Sequence, residues 1–473
     1  MLEILRSYNT GTDYPTCAAA SAHFQAQKSR RRQGNLMPAT AFCVGRDKTI
    51  PRLAWICEAQ DGQYAFTIGP GVDSGDAFIV EGVWDGPFAE RGFAASDHFY
   101  GSGALVDGRG VVFAPPRLCT DYLYVLQDKQ ARKAYVSNSF CFIFKRAGIR
   151  PESEFFARFR GCLHATTAAE SRLGADRGSP LICEDASLAM FRMMYHNFRI
   201  AEDGGIRHDM RVPLDPGASD FSAYRAYLLA KVAALTVNGA AAERNTPALP
   251  ITMISTGYDS SAVSAVCAQA GVRDAITLDV TTTGHYDCGA EIAASLGLNC
   301  IRVESPGGRV VPDLNIRLPR DVAGIHEFLA SPGLGDNVVF ANMEPYLSGR
   351  IVFSGLYGDG CWAREGNGSG LAHHLPYMKS RNEFRLRVGY SLAPMPAFGA
   401  YFPCMLQQIG AHPSMKPYAL GGFYDRPIAR RLAEEAGVPR ELFGQRKAAN
   451  NFNILNYMDF FTKAVETVME RYR

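Results

Sequence analysis

Residues 251–271 read ITMISTGYDSSAVSAVCAQAG, and this stretch decides the fold of the second half of the chain. Its apolar start, 251–254, predicts a buried strand, and the small and polar residues 255–261 predict a tight loop. Apolar residues then recur at helical spacing until Gly271, a natural stop signal. The stretch therefore predicts a strand, a loop and the N-terminus of a helix.

A loop of this kind is suited to binding an anion. Unpaired backbone N–H groups and the positive end of the helix dipole meet there. Ser255, Ser260 and Ser261 can add hydroxyl donors, whereas Asp259 would repel a bare phosphate and therefore indicates a bridging Mg²⁺. The loop lacks the lysine of a GxxxxGK[ST] loop, which argues against γ-phosphate transfer. The alternative is an ordinary turn, since so short a string also arises by chance.

The loop resembles the pyrophosphatase loop (PP-loop), Ser-Gly-Gly-x-Asp-Ser, of ATP-dependent adenylating enzymes, in the form found in the synthetase domain of asparagine synthetases. The matching residues are Ser255, Gly257, Asp259, Ser260 and Ser261. Thr256 stands where the family usually has its second glycine. The resemblance implies that ATP places its phosphates on this loop and its base against the predicted strand 275–280, which includes Leu278.

A second stretch, FSGLYGDGCW at 353–362, resembles the family signature Ser-Gly-Glu-Gly-x-Asp-Glu. The match falls on Ser354, Gly355, Gly358 and Asp359. It implies that Gly355 contacts the nucleotide and that Asp359 joins Asp259 in holding Mg²⁺, a metal that favours carboxylate and phosphate oxygens. The alternative for Asp359 is a plain turn residue between two glycines.

The second stretch also departs from the family. Leu356 stands where asparagine synthetases have a catalytic glutamate and their β-lactam-forming relatives a tyrosine, and Gly360 replaces the last acid. Tyr357, one residue further on, is the candidate to take over the catalytic role. These departures indicate that the second substrate is not ammonia handled as in asparagine synthetase.

A third stretch, VPRELFGQRK at 438–447, is similar to a C-terminal family segment that ends in a lysine. Pro439, Arg446 and Lys447 carry the match. The resemblance implies that Lys447 stabilises charge on the α-phosphate and on the oxyanion that follows. Taken alone, a lysine of this kind would be interpreted as a surface residue.

Strands alternating with helices predict a parallel sheet flanked by helices in residues 206–473, with ligands beyond the carboxyl ends of its strands. The predicted elements are strands 251–254, 275–280, 300–304 and 350–354, and helices 219–235, 287–298 and 336–347. Asp287 and Glu291 share a face of one predicted helix, where surface charge is the simpler interpretation.

Residues 1–205 predict a separate, strand-rich α+β domain. The predicted strands are 53–57, 64–68, 77–83, 111–114, 122–126 and 134–136, with helices from 139, at 152–159 and at 185–195, and with loops at 101–103 and 108–110. Residues 121–148 weakly resemble part of the glutaminase-like, Ntn-type domain of asparagine synthetases. Such glutaminases use a cysteine at residue 2, but this chain has Leu2 and its first cysteine is Cys17, so the resemblance implies a degenerate domain.

The composition is that of an ordinary soluble protein. There are 49 Lys plus Arg against 47 Asp plus Glu, and this balance gives no electrostatic case for a nucleic-acid partner. No signal pattern and no apolar run of about 18 residues is present, so we expect a cytoplasmic protein with no membrane partner. Oligomeric state is left open, with a homodimer among the options.

Together these features predict an ATP- and Mg²⁺-dependent ligase or cyclase. It would adenylate the carboxylate of a small molecule or peptide, release pyrophosphate, and join the carboxylate to an amine, in the manner of β-lactam synthetases and lasso-peptide cyclases of specialised metabolism. Two alternatives stay open at this point. One is a catalytically silent nucleotide-binding partner of another enzyme, and the other is a tRNA-modifying adenylase that uses the same loop.

Overall fold

The fold is described from a computed structural model. It describes residues 41–118, 120–170, 181–280, 286–304, 310–311, 316–317, 325–331, 338, 340–363, 382–422, 424–445 and 457–472. All of these residues belong to one compact unit, Thr40–Arg473.

The N-terminal region is built from two mostly antiparallel sheets. Its strands are β1 (Ala41–Arg46), β2 (Trp55–Gln60), β3 (Gln63–Ile68), β4 (Asp73–Gly75), β5 (Phe78–Val83), β6 (Tyr100–Asp107), β7 (Gly110–Ala114), β8 (Leu123–Asp128), β9 (Lys133–Ser137), β10 (Leu181–Glu184), β11 (Leu188–Met193), β12 (Asn197–Ile200) and β13 (Ile206–Asp209). The seven-stranded sheet has the order β1-β3-β2-β9-β8-β11-β10, and the six-stranded sheet has the order β13-β12-β7-β6-β5-β4.

The two sheets share one apolar core. Trp55 and Phe66 of the first sheet meet Phe113 and Phe198 of the second, and all four are almost fully buried. Alternate residues along each strand point to this core, which is how two sheets pack face to face.

The second half contains a parallel sheet. Its strands are β14 (Leu249–Met253), β15 (Asp274–Leu278), β16 (Asn299–Val303), β19 (Arg350–Ser354) and β20 (Ser391–Pro394), and two short strands, β17 (Val310–Val311) and β18 (Ile316–Arg317), pair separately. The order is β16-β15-β14-β19-β20, and every neighbouring pair is parallel. The chain runs outward from β14 to β16 and then returns to the other side of β14, so a topological switch point lies between β14 and β19.

Helices flank the parallel sheet and the pair of packed N-terminal sheets, which we call the sandwich. They are α1 (Phe140–Ala147), α2 (Glu154–Glu170), α3 (Phe221–Gly239), α4 (Tyr258–Gln269), α5 (Ala290–Ser295), α6 (Ile325–Leu329), α7 (Phe340–Leu347), α8 (Gly358–Cys361), α9 (Asn382–Val388), α10 (Pro403–Ala411), α11 (Pro427–Glu435) and α12 (Tyr457–Met469). Side-chain N-caps begin α1 and α3, since Ser139 accepts from Phe142 N at 3.0 Å and Asp220 from Ala223 N at 2.8 Å. Within the described residues, no helix has both the length and the apolar character needed to cross a bilayer.

Most sequence-predicted elements are confirmed, but two predictions in the N-terminal region are wrong. Residues 185–195 form a turn and strand β11 instead of a helix. The Asp185 carboxylate accepts from the N–H groups of Ser187 and Leu188, at 2.7 Å each, and the next residues pair with β8. The six residues of β11 are buried or half-buried, and such an apolar run does not distinguish a strand from a helix.

The second wrong prediction concerns residues 101–103, which belong to strand β6 instead of a loop. Glycine is needed there because strand β5 lies so close: a Cβ on Gly101 would lie 2.0 Å from the carbonyl oxygen of Glu81. The predicted domain boundary at 205/206 stays a prediction. We note that β13, directly after it, pairs with β12.

Candidate functional site

The loop after β14 has the predicted strand–loop–helix geometry. Gly257 is the N-cap of α4, and no side chain caps the helix. The hydroxyls of Ser255 and Ser260 lie 2.8 Å apart, while Ser261 is fully buried and donates to the carbonyl of Gly257 at 2.8 Å. Ser255 and Ser260 therefore shape the open face of the loop, and the hydroxyl of Ser261 holds it from inside.

The second predicted loop lies directly beside the first, because β19 is the neighbour of β14 in the sheet. A Cβ on Gly355 would lie 2.6 Å from the amide nitrogen of Ser260, and a Cβ on Gly358 only 2.0 Å from the carboxyl carbon of Asp259. Only glycine permits so close an approach. The two signatures thus form one site at the switch point, where open α/β sheets bind ligands.

Two carboxylates meet in this site, one from each loop. Asp259 contacts Nη1 of Arg426, and Asp359 contacts Nη2 of the same guanidinium. Arg426 is only 5% exposed, whereas the side chain of Asp359 is 63% exposed. The carboxylates that the sequence assigns to one Mg²⁺ therefore already converge on a single cation, although that cation is an arginine.

Sequence reasoning missed Arg426, which directly precedes helix α11. An arginine is an unusual N-cap, because its charge opposes the positive end of the helix dipole. A cap of the wrong charge, in the run 424–431 YDRPIARR, is the signal that would have indicated a tertiary carboxylate partner.

Thr256, which replaces the second glycine of the family loop, has a specific partner. Its amide and its hydroxyl donate to Oδ1 of Asp287, at 3.0 and 2.6 Å. Asp287 is 6% exposed and precedes α5, so it braces the loop and is not part of a charged helix surface. Helix α5 begins at Ala290, three residues later than the predicted start.

The segment that leads to Lys447 docks on the same loop. Gly444 N donates to the carbonyl of Thr256 at 2.8 Å, and the ring of Phe443 lies 5.8 Å from that of Tyr258. Arg430 of α11 donates to the Tyr258 hydroxyl. Lys447 itself, three residues after Gly444, lies outside the described residues, as does Arg446.

The remaining predicted residues surround this edge. Leu278 ends β15 and is 8% exposed, and Tyr357 is half-buried with a left-handed backbone φ of 78°. Leu356 packs on the core. Ser354, at the end of β19, is 2% exposed, and its hydroxyl has no hydrogen-bond partner among the described residues.

The polar groups gathered at this edge are the carboxylates of Asp259 and Asp359, the hydroxyls of Ser255 and Ser260, and the first backbone N–H groups of α4. Burial, followed by the charge of Asp259, raises the pKa of both Cys361 and Tyr424, so these neighbours stay neutral. Nowhere in the described ranges do three or more His, Cys, Asp or Glu side chains form a cluster that could hold a metal ion. Two carboxylates suffice for Mg²⁺ when phosphate oxygens and water complete its shell, so the donor set fits a metal that arrives with a nucleotide.

Ser96, Asp97 and His98, which lie outside this site, have the residue types of a Ser-His-Asp catalytic triad but do not form a proton relay. Ser96 donates to Asp85, Asp97 pairs with Arg211, and His98 lies between the hydroxyls of Tyr100 and Tyr227 at 3.1 and 2.6 Å. Burial lowers the pKa of His98 to about 4. The three side chains therefore serve separate structural contacts.

No family model matches the chain, and no curated protein shows significant similarity to it.

Proposed function

We propose that the chain is an AMP-forming ligase of the asparagine synthetase-like type, which activates a carboxylate with ATP and joins it to an amine. The observation that carries this proposal is the convergence of Asp259 and Asp359 on one position at the switch point. Two adjacent loops, each with its own family-like signature, contribute one carboxylate each. The PP-loop and Ntn-like assignments of the two halves belong to the same proposal.

The loop residues would orient the triphosphate. The uncapped first turn of α4 offers backbone N–H groups, with the hydroxyls of Ser255 and Ser260 beside them. The Ser354 hydroxyl, buried without a described partner, is a further donor. Asp259 and Asp359 would hold Mg²⁺, which supplies charge neutralisation for the leaving pyrophosphate when it is bound.

The substrate carboxylate would attack the α-phosphorus, and the P–O bond to pyrophosphate would break. The amine would then attack the acyl carbon, and AMP would leave. Lys447 is proposed as the cation for both steps, supported by the docking of Gly444 on Thr256. Tyr357 is proposed to take part in the second step, because Leu356 stands where relatives have a glutamate or a tyrosine.

Two observations favour a catalytically silent, nucleotide-binding partner protein as the second candidate. Arg426 lies between the metal-binding carboxylates, and Asp287 engages the amide of Thr256 that could otherwise face a phosphate. A protein that binds nucleotide without turning it over could tolerate both features.

The test is the identity of the products. The chain would be incubated with Mg²⁺, ATP labelled in the α-phosphate and a panel of amino-acid and peptide carboxylates, with and without amines. Equal amounts of AMP and pyrophosphate, together with a new amide detected by mass spectrometry, are expected. ADP and phosphate as products would overturn the proposal, and nucleotide binding without turnover on any carboxylate would favour the silent partner.

A further inference from the structure

Arg426 occupies a position that the proposed reaction assigns to a metal. Its two terminal nitrogens contact Asp259 and Asp359, so those carboxylate oxygens cannot at the same time ligate a divalent ion at the same place. The ring of Tyr424 lies 4.9 Å from the guanidinium, close enough for a cation–π contact. The protein therefore provides an internal cation for its own metal position.

The cluster around Arg426 has a charge and an exposure that suit an exchange of cations. Two carboxylates face one guanidinium, and the nearest other arginine on α11, Arg430, already pairs with Glu434. Asp359 is largely exposed, so an ion from solvent can reach this carboxylate without unfolding the site. A divalent ion would balance both carboxylates by itself, and Arg426 contributes only a single positive charge.

We propose that Arg426 is an exchangeable cation. It keeps Asp259 and Asp359 together in the metal-free protein, and the divalent ion that accompanies the nucleotide displaces it from them. The released guanidinium, with its planar set of donors, then pairs with the polyphosphate. Arg426 is thus a positioning residue for the metal and a binding residue for the nucleotide. The second role rests on the proposed function, but the first does not.

The experiment measures Mn²⁺ binding by electron paramagnetic resonance in the absence of nucleotide. Removing the internal cation with Arg426→Met should expose a carboxylate pair that binds one Mn²⁺ at least tenfold more tightly than the wild type does. The added Asp259→Asn and Asp359→Asn changes should abolish this binding. Arg426→Lys, which keeps the charge, should remain close to the wild type.

Arg302→Met is the matched control. Arg302 pairs with Asp279 at 3.1 and 3.0 Å just past the end of β15, and Asp279 is its only carboxylate partner within the described residues. We expect no new Mn²⁺ site in this variant. Folding of each variant is checked by its melting curve, and Arg426→Gln takes the place of Arg426→Met if the latter does not fold.

A second readout separates this role from a structural one. For Mg²⁺–ATP, measured by calorimetry, Arg426→Met should bind about tenfold more weakly than the wild type, although it binds Mn²⁺ alone more tightly. A structural defect would weaken both. A folded Arg426→Met or Arg426→Gln variant that binds Mn²⁺ no better than the wild type overturns the exchange. If Arg426→Met binds Mn²⁺ more tightly but the wild type does not bind Mg²⁺–ATP, the cation exchange is retained and the nucleotide function is rejected.

Discussion

Several clusters among the described residues place one arginine against two carboxylates, as at Arg199 and Arg387, and two further ones differ sharply in burial. In the first, Arg385 donates to Glu81 at 2.8 and 2.9 Å and pairs with Asp121 at 2.8 Å, and all three residues are at most 5% exposed. The second is the cluster of Arg426 with Asp259 and Asp359.

The difference in burial shows how the position of an arginine–carboxylate cluster decides whether solvent can reach it. The first cluster joins β5 and the segment before β8 to helix α9, so it ties the sandwich to the second half of the chain. Burial lowers the pKa of Arg385, but Asp121 and Glu81 more than offset this, and the net shift is upward. The second cluster lies at the carboxyl edge of the sheet with Asp359 in solvent. Water and ions therefore reach only the second cluster.

The largest expected effect is on stability. Arg385→Met leaves two buried carboxylates without their cation and should lower the free energy of unfolding by about 3–5 kcal/mol. Arg426→Met should cost less, about 1–3 kcal/mol, because Asp259 loses a donor whereas Asp359 is already hydrated. Urea denaturation of both variants measures the difference. Equal losses would mean that burial does not separate the two clusters.

The next effect is on turnover. Asp259→Asn and Asp359→Asn should each reduce formation of AMP by about 100- to 1,000-fold, since each removes a charge that the proposed function assigns to holding Mg²⁺ at the reacting phosphates. Asp61→Asn, in an exposed turn of the sandwich, is the matched control and should leave the rate unchanged. Nearly full activity in both variants would contradict the proposal that Asp259 and Asp359 hold the metal ion.

A third prediction concerns a buried carboxylate that has hydroxyl partners. Glu383 accepts from Ser139 at 2.6 Å and from Tyr472 at 2.7 Å. Burial raises the pKa of Glu383 from 4.5 to about 7, and the hydrogen bonds from Ser139, Tyr472 and Cys141 oppose this shift only in part.

Since the folded pKa of Glu383 is raised, its stabilising contribution is present below about pH 4.5 and is lost as pH rises through about 7. Glu383→Gln should remove this dependence, so the variant should gain about 3 kcal/mol relative to the wild type between pH 4 and pH 8. Thermal unfolding across this range measures it. Parallel curves for Glu383→Gln and the wild type would refute the prediction.

The smallest effect compares two Thr–Asp pairs with the same hydrogen bonds. Thr256→Val should cost about 1–3 kcal/mol, because buried Asp287 loses a hydroxyl donor at 2.6 Å. Thr49→Val removes a similar bond to Asp47 at 2.7 Å, but in an exposed loop, and should cost less than about 0.5 kcal/mol. Melting temperatures of the two variants test the contrast, and similar losses would contradict it.

The sequence predicted the elements that local chemistry determines. The loop after β14 could be predicted because a short apolar run meets small polar residues and a helical repeat, and β19 was predicted residue for residue as 350–354. Strand β20 was missed, since its four residues, SLAP, carry no periodicity and end in a proline.

The site was predictable only in part, because its contacts join distant parts of the chain. The pairing of Asp259 with Asp359 was predicted from two strand ends. Arg426 and the brace between Thr256 and Asp287 depend on tertiary neighbours. The local sequence marks Arg426 only as a helix cap of unusual charge and does not identify its partners. The helix predicted at 185–195 failed for a related reason, since pairing with β8 overrides the helical spacing of its apolar residues.

The most direct test of the central claim is calorimetric titration with Mg²⁺ and α,β-methylene-ATP, which cannot release pyrophosphate. The wild type should bind one nucleotide in the range of about 1 μM to 1 mM, only when Mg²⁺ is present. The Asp259→Asn/Asp359→Asn double variant, checked for folding by its melting curve, should bind at least 100-fold more weakly. Wild-type affinity in the double variant, or no binding by the wild type, would contradict the claim that these two strand ends hold a metal–nucleotide complex.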